Sequence, residues 1–170
     1  NQTFWRFPRR RLTAEELRDT ILQHAGCLSL TMGGPGYWCF DLEKPEHSPH
    51  YEYEGFDPLH PSTLRRSIYR FVVRSQPDPW INCLDGADTS QSTPRRNETQ
   101  TALQALTLFN SRLTLTMADQ YVRQRCKPNQ DTAMAIDQVY GDWMQRKPSD
   151  DEVQMLIQYA DQYGLQAVVR

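Results

Sequence analysis

The sequence predicts a mainly helical α+β domain, with two short β-hairpins in the N-terminal half, residues 1–92, and a helical bundle in the C-terminal half, residues 93–170. Three observations carry that expectation. Apolar residues recur at helical spacing through the second half, where Ser149 and Glu152 also stand as a capping box. Aromatic and β-branched runs divided by Gly and Pro turns fill much of the first half. Between them lies Thr93–Asn110, where a polar lead-in bearing Arg95 and Arg96 passes into Ala102, Leu103, Ala105, Leu106, Leu108 and Phe109. A helix apolar over most of its circumference belongs in a core, so this segment is expected to be the central buried element and the joint between the halves.

The chain's 170 residues suffice for one domain with a sizeable core. A net charge of −2 sets up no global field that would draw in nucleic acid, and no nucleic-acid partner is expected. No apolar run approaches the ~20 residues a spanning helix needs, so the chain is expected not to span a membrane. Its start, Asn-Gln-Thr-Phe-Trp-Arg, has neither an initiator Met nor a signal-peptide pattern and reads as a processed product or one segment of a longer chain. Cys27, Cys39, Cys83 and Cys126 form neither Cys-x-x-Cys nor Cys-x-x-Cys-His, so a zinc knuckle and covalent haem attachment both lack their ligands. No cofactor is expected in this chain. Disulfide bonds and small buried thiols remain equally open for the four cysteines. Lysine occurs only at positions 44, 127 and 147, and the prevailing arginine suits bidentate pairing with carboxylates.

Along the chain, an aromatic and arginine-rich arm, Phe4 to Leu12, leads to a capping box at Thr13 and Glu16. Leu17, Ile21 and Ala25 follow at helical spacing and Gly26 sits where a C-cap belongs, predicting a helix over 13–25. Leu28–Met32, the turn Gly33-Gly34-Pro35-Gly36 and Tyr37–Leu42 read as the first hairpin. That turn is no phosphate loop, because no Gly-Lys-Ser/Thr and no long helix follow it. Arg65–Ser75 alternates Tyr69, Phe71 and Val73 against Arg66, Arg70 and Arg74, and Trp80–Leu84 returns as its partner after Gln76-Pro77-Asp78-Pro79, giving the second hairpin. The arginine row reads first as a salt-bridged or solvated face, with anion contact by Arg66 as the sharper alternative.

Glu43–Ser62 reads as a long loop with prolines at 45, 49, 58 and 61. It carries His47, His50 and His60 among Glu46, Glu52, Glu54 and Asp57, a divalent-metal candidate because imidazole and carboxylate are both ligands. The prolines prevent a regular element from converging those side chains, which favours a solvated polar loop. In the second half, Asn97 or Thr99 is the expected cap of the apolar helix. Arg95 and Arg96 precede its positive end, where cations are not favoured, so they are expected to pair with carboxylates as a clamp. Contact with an anion or partner is the second reading. Stripes at Leu115–Val122, Ile136–Met144 and Val153–Tyr163 complete the bundle, and their regularity marks core packing rather than a cofactor box.

Four ordered stretches resemble the planctomycete cytochrome-c-associated C-terminal domain, a domain of unknown function. They are Arg9-Arg10-Arg11-Leu12 with Glu15-Glu16-Leu17-Arg18-Asp19; Met32-Gly33-Gly34-Pro35; Arg65-Arg66-Ser67-Ile68-Tyr69-Arg70-Phe71-Val72; and Pro94-Arg95-Arg96-Asn97-Glu98-Thr99 with Leu103–Asn110. The last helix pair around Lys147–Glu152 is also similar. The resemblance covers nearly the whole chain. It implies an exported setting, the periplasm or cell envelope, with haem c on another domain or partner, and it transfers no catalytic residues. The function expected is a non-catalytic accessory or assembly module docking or scaffolding a c-type cytochrome for electron transfer. Two rivals stand beside it. One is an envelope enzyme acting on sulfated or other polysaccharide, with Arg66, Arg95, Arg96 and the histidine loop lining a cleft. The other is a carbohydrate-binding module using exposed aromatics such as Trp5, Trp38 and Trp80.

Overall fold

The computed structural model describes residues 10–43, 46–127 and 129–170. The arm before Arg10, with Trp5, lies outside them. Helix α1, Ala14–His24, begins as its capping box dictates: the Thr13 N–H donates to the Glu16 carboxylate at 2.9 Å, and the Glu16 N–H donates to the Thr13 hydroxyl. It stops where Gly26 takes φ 71°, a left-handed conformation open to glycine.

Two expected strand pairs give way to other structure, although the mainly helical α+β class holds. Residues 28–42 do not fold on themselves. Ser29 and Tyr37 instead make single parallel bridges to Arg65 and Arg70. The Gly33–Gly36 turn is braced from outside by the Arg65 guanidinium, which donates to the Thr31, Gly33 and Pro35 carbonyls and lies 3.9 Å from the Tyr69 ring centroid. Among the described residues the one two-stranded sheet pairs β1, Asp41–Glu43, at the end of the expected hairpin strand, antiparallel with β2, His50–Glu52, which lies in the stretch read as loop. Arg65–Ser75 contains a single 3₁₀ turn, Ser67–Tyr69, preceded by another at Pro61–Leu64. Its alternation failed as a strand signal because Phe71 stays half-exposed and Ile68 is largely solvated. The expected return strand is helix α2, Pro79–Cys83. Local capping overrode β-propensity there: Asp78 Oδ1 accepts from the Trp80 and Ile81 N–H groups, and Pro79 brings a helical φ to the first position.

Helix α1 is the hub of the core. Its Ile21, Leu22 and Ala25 pack on Met117, while Ala14 packs on Ile81 and Leu84. Leu17 and Trp80 touch both clusters.

Helix α3, Ala102–Asn110, corrects the central expectation. Its cap is Thr101 rather than Asn97 or Thr99, with Gln104 closing the box. Its only buried residue is Gln104, whereas Leu103, Leu106 and Phe109 are 64%, 58% and 54% exposed. The helical half continues with α4 (Arg112–Arg125), α5 (Thr132–Met144), α6 (Asp150–Tyr163) and α7 (Leu165–Val169). Tyr121 of α4 is fully buried and donates its hydroxyl to Asp142 of α5 at 2.7 Å. Gln145 ends α5 in a left-handed turn, and the Ser149–Glu152 box starts α6 as expected.

Candidate functional site: the joint around α3

Asp85 follows α2 in a left-handed conformation, φ 60°, which Asp tolerates better than most residues. Its carboxylate collects the Thr99 N–H and hydroxyl at 2.8 Å each, the Gln104 amide at 3.1 Å and the Arg11 guanidinium at 2.7 Å. Burial opposes its charge, but these donors outweigh it and hold the carboxyl at about 2. Gln104 also donates to the Thr99 hydroxyl at 2.9 Å. The rotation of α3 about its axis is therefore fixed by a polar residue turned inward. At 100° per residue, turning Gln104 in turns Ala102, Leu106 and Phe109 out, with Leu103 and Ala105 flanking them.

Beside this hub, Arg96 grips Glu15 of α1 with both nitrogens, at 2.5 and 3.2 Å. Burial pushes the Glu15 carboxyl up, and the Arg96 hydrogen bonds, a backbone N–H and the charges of Arg96 and Arg70 together reverse it, leaving it below the usual range. Arg96 is the clamp the sequence predicted. Arg95 is exposed, with no ion pair among the described residues. Arg66 lies against the Met32 sulfur at 3.8 Å. His47 and His50 are exposed, His50 standing opposite Glu43 in the hairpin. His60 caps the Pro61–Leu64 turn, its Nδ1 2.7 Å from the Ser62 hydroxyl. Among the described residues no three His, Cys, Asp or Glu side chains gather to hold a metal ion. The structure thus brings neither the three histidines nor the three arginines together.

A cavity of about 500 Å³ opens on the inner flank of α3. Arg18, Cys39 and Asp78 line its depth, Tyr53, Phe56 and Trp80 form aromatic walls, and Arg112 stands beside it at the start of α4. Arg18 is 5% exposed and donates to the Thr63 and Arg65 carbonyls and the Ser67 hydroxyl. Asp78 pairs with Arg70 at 3.3 Å while capping α2. Burial pushes the Cys39 thiol up to about 11, so it is a neutral, unreactive group. All four cysteines are unpaired thiols.

Sequence reasoning missed Arg18, Asp85, Gln104 and Arg112. Signals existed for two of them. Arg18 lies four residues from both Ala14 and Leu22, on the buried face of α1. Asp85-Gly86 is a turn dipeptide. Internal arginine clamps and an outward-facing apolar helix thus mark a mainly helical α+β domain. The profile of the family PSD1, a protein of unknown function (DUF1553), matches residues 1–160, and the chain belongs to that family. No curated protein and no solved structure matches it significantly.

Proposed function

We propose that the chain is a non-catalytic accessory module that docks, through the outward face of α3, onto a haem-c-bearing part of an exported envelope assembly and holds it for electron transfer. The observation that carries this reading is the inverted helix. Three large apolar side chains of α3 face solvent while its glutamine is hydrogen-bonded inside. Exposed apolar surface of this kind marks an interaction site. Arg95 on the lead-in is exposed, and Arg170 donates to the Phe109 carbonyl at 2.9 Å at the far end. Both fit a partner surface with an apolar centre and an acidic rim. The location outside the cytoplasm and the haem partner rest on the family resemblance. The polysaccharide-enzyme rival draws less support, because Arg66 contacts Met32, Arg96 grips Glu15 and His60 caps its own turn.

The test uses the chain and the haem-c-bearing protein purified from the same cells. The chain should co-elute with the Soret absorbance. The variant Leu103→Gln/Leu106→Gln/Phe109→Gln should lose co-elution while keeping its thermal midpoint. A native assembly without covalently bound haem, or undiminished co-elution of the variant, rejects the reading.

A further inference from the structure

We propose that the cavity on the inner flank of α3 binds a small ring-bearing carboxylate, its charge held by Arg112 and its ring set against the aromatic walls. The proposal stands apart from the docking face of α3 and does not depend on it.

A volume of about 500 Å³ falls within the range of ligand pockets and is ample for one six-membered ring with substituents. Tyr53, Phe56 and Trp80 offer flat apolar faces, and Pro58 and Pro79 extend them. A ring loses water there at little cost in ligand entropy.

Few polar groups of the lining have donors left over. Arg18 is consumed by three acceptors of the fold, and Asp78 by α2 and Arg70. Ser111 caps α4. Arg112 is different: its Nη1 donates to the Glu54 and Gly55 carbonyls at 2.9 and 3.0 Å, while no acceptor among the described residues takes its Nε or Nη2. That leaves a guanidinium oriented by two backbone carbonyls with donors to spare, the geometry that suits a carboxylate. Asn110 adds a second donor, because its Oδ1 accepts from Arg170 and its Nδ2 has no acceptor among the described residues. The opposing group is the exposed Glu54 carboxylate, which also lines the cavity. Asp78 is paired with Arg70 and Asp19 with Arg18, so Arg112 and Glu54 are the charges left at the cavity, and the free Nε and Nη2 donors of Arg112, not a net charge, would hold a carboxylate.

Two carboxylates test the class and its source. Glucuronate carries a hydroxylated ring, benzoate an apolar aromatic one, and glucose is the neutral control. Calorimetric titration of the chain should show binding of glucuronate, benzoate or both, and none of glucose at the same concentration. Glucuronate alone would mark a sugar-acid site, and tighter benzoate an aromatic-acid site. Arg112→Gln should weaken the bound acid at least tenfold. Because that change also releases two carbonyl contacts, Glu54→Gln is the independent check. It removes a repelling charge and should tighten binding severalfold. The proposal is overturned if neither acid binds at millimolar concentration, if glucose binds as well as the acids, or if Glu54→Gln weakens the complex.

Discussion

Asp85 shows how much one side chain can settle. It draws together Arg11, Thr99 and Gln104 while its own backbone occupies a left-handed turn. Asp85→Ala removes these acceptors and strains the turn, and should cost about 2 kcal/mol in chemical denaturation. The pH dependence follows from the same contacts. The folded carboxyl titrates at about 2, below its ordinary value of 3.8. The unfolded chain therefore takes up the proton first, and the contribution is complete above pH ~4 and lost as pH falls toward 2. Thermal midpoints should drop across that window, and Asp85→Asn, which tolerates the same turn, should flatten the drop. An unchanged slope in the variant would refute the assignment. At this scale the sequence was partly legible. Arg96 could be read as a clamp because a cation before a helix start needs a carboxylate, and Glu15 supplies it. Its neighbour Arg95 was read the same way and is solvated, standing at a bend in the chain.

Helix α3 was legible as a helix and illegible as to which face goes in. Its apolar residues outnumber its polar ones, so periodicity alone assigned it to the core. What decided its orientation was a long-range hydrogen bond from Gln104 to Asp85, which no local pattern contains. The consequence is measurable. Leu106→Gln should change stability by less than about 0.5 kcal/mol, as surface substitutions do. Leu22→Ala in α1, at a site with 0% exposure, should cost about 3 kcal/mol. A comparable cost at both sites would restore α3 to the core. Capping boxes, by contrast, located the starts of α1 and α6 correctly, because all their partners lie within four residues. The short aromatic stretches misled for the opposite reason. Pairing of Ser29 with Arg65 and of Tyr37 with Arg70 is set by distant chain, and Asp78-Pro79 turned an aromatic run into α2.

For the whole molecule, the class was legible from composition and periodicity, and the cluster around α1 draws residues from both halves. The two apolar clusters both include Leu17 and Trp80, and the Arg96 clamp joins the lead-in of α3 to α1. Leu113, Met117 and Trp143 of the second half also pack on α1, so unfolding should be a single cooperative transition. Coincident midpoints in near- and far-ultraviolet circular dichroism would show it, and two separated steps would contradict it. The place of α1 also bears on how the chain is made. Its apolar face waits for Leu113 and Met117 of α4 and Trp143 of α5, roughly a hundred residues further on. On the ribosome that face emerges long before its covering helices do. The nascent chain must pass through a stage in which its first helix is sticky and unsheltered, which makes this protein a natural client for a holding chaperone during synthesis.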